Sequence, residues 1–158
     1  MATNEAANTA DDLEAIKVLK ARYFRFVDTK QWGELRKLLT DDMQFELSDE
    51  DAATAKKMMG LADDESIAVG GDSFVAMGSQ SLREATSVHQ GFMPEITFTG
   101  PGLARGIWAL HDYLEFPSDG PDRQGFHGYG HYEEEYRKED GAWRISAMNL
   151  TRLRVDPL

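Results

Sequence analysis

Residues 13–32, LEAIKVLKARYFRFVDTKQW, guide our interpretation of this 158-residue chain. Apolar side chains recur there at three- and four-residue steps, which predicts an amphipathic helix with one buried stripe. The stripe consists of Leu13, Ile16, Leu19, Tyr23 and Val27. A buried phenol such as Tyr23 needs a hydrogen-bond partner, and Asp28 follows where the helix is expected to end.

Tyr23 and Asp28 each allow two interpretations. In the structural one, Tyr23 is a core residue with its hydroxyl at the rim, and Asp28 caps a following helix, with Gln31 completing a capping box. In the functional one, the phenol and the carboxylate carry out acid–base chemistry at the end of the helix. The residues of this segment leave both interpretations open.

The composition predicts a globular domain with one well-filled core. Hydrophobic residues make up 41% of the chain, so we expect a single domain over residues 1–158, with residues 1–10 flexible. The net charge of −11 disfavours nucleic acids and anionic membranes as partners. The absence of cysteine excludes disulfides, thiolate metal sites and a cysteine nucleophile. Without a signal peptide or a membrane-spanning run, we expect a soluble, cytoplasmic protein.

The order of elements predicts an α+β fold. Short helices are expected at residues 30–39 and 72–85, and strands at 43–47, 86–99, 103–116, 126–138 and 142–155. Pro94 interrupts one strand, which is therefore either two strands or one strand with a bulge. Asp140-Gly141 indicates a hairpin turn. We expect residues 48–66 to be an acidic insertion or flap, and the spacing of their acidic residues is a poor match to a calcium loop. Helices followed by antiparallel strands favour helices packed on one side of a sheet.

Asp112 stands out in the strand at residues 103–116. Alternation places it on the same face as Trp108, Leu110 and Leu114. A carboxylate in such surroundings must be paired, hydrogen-bonded or raised in pKa, which is how catalytic acids are often tuned. The alternative is a local bulge that returns Asp112 to solvent.

The last two strands carry further polar candidates. His127 and His131 share one face of FHGYGHY at residues 126–132, where the glycines allow close approach of a backbone or a ligand. A His-x-x-x-His pair suits a metal on a helix rather than on a strand, so we expect no metal site. In the final strand, Arg152 and Arg154 are predicted to share a face.

Several segments resemble a known family. They are residues 13–32, VHQGFMPEIT at 88–97, GIWALHD at 106–112, and the hairpin at 136–143 leading to Arg152. From about residue 13 to 154 the chain resembles the SnoaL-like branch of the NTF2-like superfamily, and within it the bile-acid 7α-dehydratases. The resemblance implies a cone in which N-terminal helices pack on a strongly curved, mixed or antiparallel sheet that encloses a cavity.

The resemblance also implies site residues and a reaction. The catalytic residues of the family match Tyr23, Asp28, His89 and Asp112, and its C-terminal arginine matches Arg152. The implied enzyme is a hydro-lyase that eliminates water from a hydroxylated, carbonyl-bearing substrate without a metal or organic cofactor. His89, paired with one of the two aspartates, would be the base, and Tyr23 would donate a proton to a substrate oxygen.

Departures from the dehydratase pattern leave the substrate open. The insertion at 48–66 is longer than expected, and His127 and His131 either add a second acid–base pair, as in the related scytalone dehydratases, or line a polar wall. An aromatic cavity wall is predicted from Trp108, Phe92, Phe126 and Tyr129. We therefore expect an apolar polycyclic substrate of steroid or polyketide type.

Other functions of the same fold stay open at this point. The alternatives are a ketosteroid-type isomerase, a polyketide cyclase and a non-catalytic small-molecule-binding protein. The broad back of the sheet predicts a homo-oligomer, either a dimer or a trimer.

Overall fold

The fold consists of helices packed against the inner face of one curved, mixed sheet. The computed structural model describes residues 2–47, 67–120, 122 and 124–158. Helices α1 (Ala2–Asp28) and α2 (Trp32–Arg36) precede strands β1 (Leu39–Leu47) and β2 (Ile67–Val69). Helix α3 (Gly71–Ser81) leads to β3 (Thr86–Gly100), β4 (Leu103–Phe116), β5 (Gln124–Glu139) and β6 (Ala142–Pro157). This arrangement confirms the predicted α+β cone.

The six described strands lie in the order β2-β1-β6-β5-β4-β3. Only the β1–β6 pairing among them is parallel, and the hairpins from β3 to β6 make the long antiparallel part of the sheet. The β5–β6 hairpin turns at Asp140 and Gly141, with φ of 51° and 80°. Positive φ at both central residues is the geometry that an Asp-Gly turn favours, so the hairpin prediction is confirmed.

The helices differ from their predictions mainly in length. Helix α1 begins at Ala2, ahead of Leu13, where the apolar stripe of the predicted helix starts. Helix α2 is shorter than predicted, since Leu39 already belongs to β1. Helix α3 ends at Ser81 rather than near residue 85. The predicted acidic insertion at 48–66 lies outside the described residues.

Strand alternation places the core as predicted. On β4 the even-numbered residues from 104 to 114 face inward, among them buried Trp108, Leu110 and Leu114. Strand β3 is one strand with a bulge, since its register with β4 shifts between Phe92 and Glu95 and Met93 has a φ of 37°. Together with the inward face of α1, these strands enclose the core.

Candidate active site

A cavity of about 80 Å³ lies between the helices and the inner face of the sheet. Its polar wall includes Tyr23 of α1, His89 of β3, Asp112 of β4, Tyr132 of β5 and Arg152 of β6. The rest of the wall is mainly apolar, made up of Val27, Trp32, Leu35, Phe45, Leu47, Phe74, Met77, Leu82, Leu114 and Leu150. Elements from both ends of the sequence therefore contribute to one small site.

Asp28, the last residue of α1, holds His89 through both carboxylate oxygens. The backbone N–H of His89 donates to Oδ2 at 2.8 Å, and imidazole Nδ1 lies 2.6 Å from Oδ1. With the Nδ1 proton directed to the carboxylate, Nε2 is left as the acceptor. The His89 side chain is 9% exposed and lines the cavity. The pair thus has the geometry of an oriented general base.

The capping interpretation of Asp28 is wrong. Helix α2 begins after Gln31, and that N-cap makes no side-chain hydrogen bond. Asp28 instead reaches across to β3. This geometry also answers which aspartate pairs with His89, since Asp112 has another partner.

Asp112 and Arg152 form a buried, bidentate ion pair. Arg152 Nη1 donates to Oδ1 at 2.9 Å and Nη2 donates to Oδ2 at 2.5 Å. The Asp112 and Arg152 side chains are 1% and 2% exposed, and the guanidinium lies 5.7 Å from the centre of the Phe126 ring. Asp112 thus faces the interior and is paired, and the pair presents a polar but neutral surface to the cavity.

Two β-bulges in β6 place Arg152 and Arg154 on opposite faces of the sheet, the first directing Arg152 inward and the second directing Arg154 outward. In the first bulge, Ile145 lies opposite Tyr136 but Ala147 lies opposite Glu135. In the second, Arg152 lies opposite Gly130 but Arg154 lies opposite Tyr129. Because each shift inserts one residue into β6, the inward parity changes along the strand. Arg152 lies opposite an inward glycine, whereas Arg154 is 71% exposed in its side chain. The prediction that these arginines share a face is therefore wrong.

Two phenols complete the polar wall. Tyr23 is 5% exposed, its hydroxyl donates to Met148 Sδ at 3.6 Å, and its ring meets that of Tyr132 edge-on at 6.2 Å. Burial raises the pKa of Tyr23, and the charges of Glu134, Asp28 and Asp112 act in the same direction. Burial also raises the pKa of Tyr132 well above its usual value. Both tyrosines are therefore neutral hydrogen-bond donors.

Comparison with known proteins agrees with this architecture. The model of the SnoaL-like domain family matches residues 8–149. The chain belongs to the SnoaL-like family, in the NTF2-like superfamily.

Solved structures share the fold of this SnoaL-like chain at low sequence identity. A type 2 hexachlorocyclohexane dehydrochlorinase, LinA, superposes with a TM-score of 0.78 at 18% identity, covering 97% of this chain and 93% of that one. A protein described as a scytalone dehydratase from Novosphingobium aromaticivorans gives 0.78 at 16%, covering 97% and 91%. A single-residue variant of Rv3472 from Mycobacterium tuberculosis, a protein of unknown function, gives 0.70 at 19%, covering 94% and 76%.

Four predicted contact residues of the SnoaL-like domain lie outside the cavity. They are Phe92, His127, Tyr129 and His131. Inward positions on β5 are even-numbered and those on β3 around His89 are odd-numbered, so these side chains lie on the outer face of the sheet. The prediction that they line the cavity is therefore wrong.

The histidine pair on this outer face is also not the predicted one. His127 Nδ1 lies 3.1 Å from Nε2 of His111, rather than pairing with His131. His111 also stacks on Tyr129 at 4.8 Å between ring centres. This cluster is separated from His89 by the thickness of the sheet.

Trp108 faces inward but does not line the cavity. Its Nε1 donates to the Tyr136 hydroxyl at 2.7 Å. Within the described part of the chain, no group of three or more His, Asp or Glu side chains is arranged to hold a metal ion. None of the helices described there is long and apolar enough to cross a membrane.

Sequence reasoning missed Tyr132 and the buried pair Lys20–Glu134. Tyr132 and Glu134 have even numbers on β5, in phase with Phe126, so alternation would have placed both inward. Lys20 precedes Tyr23 by three residues on the same helix, which is the spacing of side chains on a shared face. A lysine and a glutamate that both fall at inward positions are a sequence signal for a buried ion pair.

Proposed function

We propose that this chain is a cofactor-independent lyase that eliminates water from a hydroxylated, carbonyl-bearing ring substrate. The observation that carries the proposal is the Asp28–His89 pair, with Nε2 of the imidazole available at a mainly apolar cavity. An imidazole whose Nδ1 is held by a carboxylate can remove a proton from carbon through its other nitrogen. The carboxylate stabilises the imidazolium that results.

The proposed reaction assigns each proton. His89 Nε2 removes a proton from the carbon beside the carbonyl, and the carbon–hydrogen electron pair forms the enolate. Tyr23 or Tyr132 donates a hydrogen bond to the enolate oxygen. The enolate then expels the hydroxyl from the next carbon, and the imidazolium returns its proton to that leaving group. The products are a conjugated carbonyl compound and water, and the enzyme is regenerated.

The cavity indicates the size and charge of the substrate. Its cationic group Arg152 is paired with Asp112, so an uncharged ring compound is favoured over a carboxylate. A volume of about 80 Å³ is small beside the roughly 300–1,000 Å³ of typical ligand pockets. We therefore propose a compact ring substrate, with one or two rings, in place of the larger polycyclic substrate predicted from the sequence.

A substrate screen followed by mass spectrometry tests the proposal. Hydroxylated cyclic ketones of one to four rings are incubated with the wild type and with His89→Ala, and loss of water is recorded. A chlorinated cyclohexane is included because LinA is named as a dehydrochlorinase. His127→Ala is the matched control, since this histidine lies on the outer face.

Three outcomes separate the alternatives. Loss of water that depends on His89 and not on His127 supports the dehydratase. Exchange of substrate protons with deuterated solvent, without loss of water, indicates an isomerase of the same fold. Binding without exchange or elimination contradicts catalysis and leaves a binding protein.

A further inference from the structure

A buried ion pair lies directly behind the phenols of the cavity. Lys20 is 0% exposed, and its Nζ donates to Oε1 of Glu134 at 2.5 Å. The other oxygen of Glu134 accepts from the Tyr136 hydroxyl, which in turn accepts from Trp108 Nε1 at 2.7 Å. Neither member of the pair is among the residues that line the cavity.

Stability alone is a weak explanation for this pair. Removing two charges from water is costly, and well-packed apolar side chains often replace a buried ion pair with no loss of stability. The cost is visible in Lys20, whose pKa burial lowers to about 8 even though Glu134 acts in the opposite direction. The cost of burying these charges therefore invites a functional explanation of the pair.

The ammonium of Lys20 is enclosed by three aromatic rings that belong to the site or touch it. Nζ lies 3.5 Å from the ring centre of Tyr132, 4.3 Å from that of Tyr23 and 4.6 Å from that of Phe24. Tyr23 and Tyr132 line the cavity, while Phe24 stacks on the imidazole of His89 at 6.5 Å and 10° between planes. One cation thus contacts both phenols and the ring behind the base.

We propose that Lys20 and Glu134 are positioning residues that fix Tyr23 and Tyr132 and strengthen them as hydrogen-bond donors to a developing oxyanion. A cation on the face of a phenol ring is attracted to its π electrons and stabilises negative charge that moves toward the phenol oxygen. Glu134 keeps the ammonium in place. The inference rests on the proposed acid–base function of the cavity.

Several ionisable groups surround the pair and share in its electrostatics. Tyr132 and Tyr136 face it from β5, and Tyr23 faces it from α1. The charge of Asp112 acts on both Tyr23 and Tyr132. The effect of Lys20 must therefore be measured by removing both members of its pair, so that no unpaired charge is left buried.

The test compares the wild type with Lys20→Met/Glu134→Leu. The matched control is Arg105→Met/Glu135→Leu, which removes an exposed ion pair between β4 and the outer face of β5. The probe is 4-nitrophenol, whose absorbance distinguishes bound phenol from bound phenolate. Titrations are made at about pH 7, one unit below the Lys20 pKa of about 8, so that most of the Lys20 side chain is charged.

We expect the wild type to bind the phenolate more tightly than the phenol. The double variant should lose about tenfold in phenolate affinity, which raises the apparent pKa of the bound probe by about one unit. Its affinity for the neutral phenol and its thermal midpoint should stay the same. The control should match the wild type in all three measurements.

Other results overturn the inference. These are equal weakening of phenol and phenolate, no change in either, or no phenolate preference in the wild type. If the double variant does not fold, Lys20→Met/Glu134→Gln decides, because its amide oxygen can still accept from the Tyr136 hydroxyl, no unpaired charge stays buried, and the same phenolate loss is expected. The probe requires no turnover, so failure of the dehydration screen and failure of the positioning pair are observed separately.

Discussion

At the scale of single residues, the two contacts from Asp28 to His89 determine which imidazole nitrogen is left to act as the base in the proposed reaction. In Asp28→Asn the amide oxygen still accepts one hydrogen bond, but no carboxylate remains to stabilise an imidazolium. We expect kcat on a substrate found by the screen to fall by about 10² or more. Nitrogen-15 NMR of the His89 ring should show the Nδ1-protonated tautomer in the wild type and a mixture in the variant.

The control for this substitution is Asp156→Asn. Asp156 also binds a cationic side chain, Arg154, but lies away from the cavity. The Asp156→Asn substitution should leave both the His89 tautomer and kcat unchanged. An Asp28→Asn variant with wild-type turnover would show that His89 does not depend on its carboxylate.

The Asp112–Arg152 pair makes a different prediction, because neither side chain has access to water. Arg152→Met alone leaves a buried carboxylate without its partner and should lower the free energy of unfolding by about 3–5 kcal/mol. The double variant Asp112→Leu/Arg152→Met should lose less than the single one. Urea unfolding of the wild type, both single variants and the double variant measures this coupling, and additive effects would contradict it.

At the scale of elements, strand β5 makes room for that pair through a glycine. A Cβ atom at Gly128 would lie 2.2 Å from Arg152 Nη1 and 2.3 Å from Asp112 Oδ1. Gly128→Ala should therefore displace the pair and cost about 1–3 kcal/mol in urea unfolding. Gly120→Ala is the control, since a Cβ there meets nothing within 4 Å, and equal stability of the two variants would contradict the crowding.

Regular alternation explains which elements could be predicted. Strand β4 keeps one register with β5 from Leu103 to Phe116, so the inward position of Asp112 follows from counting by two. Strand β6 contains two bulges, and nothing in its residues indicates where the parity changes. For this reason the inward position of Arg152 was open to prediction only through a family resemblance.

Sequence separation explains what could be predicted of the site. Asp28 and His89 are 61 residues apart and meet only because α1 ends against β3. The helical pattern predicted Tyr23 on the buried stripe but could not name the strand that Asp28 reaches. The aromatic character of Phe92 and Tyr129 favours a place in the cavity wall, but the register of β3 and β5 puts both side chains on the outer face of the sheet.

At the scale of the whole molecule, the buried phenols set a limit on alkaline stability. Burial raises the pKa of Tyr23, Tyr132 and Tyr136 in the folded state above the ordinary value of 10.0. Above pH 10 the unfolded chain loses these protons while the folded chain keeps them. The unfolded state then binds fewer protons, so the free energy of unfolding falls as pH rises.

Lys20 contributes with the opposite sign over a lower range. Its pKa is about 8 in the fold against 10.5 when exposed, so between these values the unfolded state binds more protons and stability rises with pH. The tyrosine effect is therefore measured above about pH 11.5, one unit beyond the unfolded Lys20 value of 10.5, where Lys20 is largely neutral in both states. We expect urea unfolding there to give a steadily falling stability in the wild type. The double variant Tyr23→Phe/Tyr132→Phe should flatten this slope, because two of the three buried phenols are gone. The control, Tyr129→Phe, changes a residue that is 37% exposed and should leave the slope unchanged. Equal slopes in all three proteins would mean that the buried hydroxyls ionise as readily in the fold as in the unfolded chain.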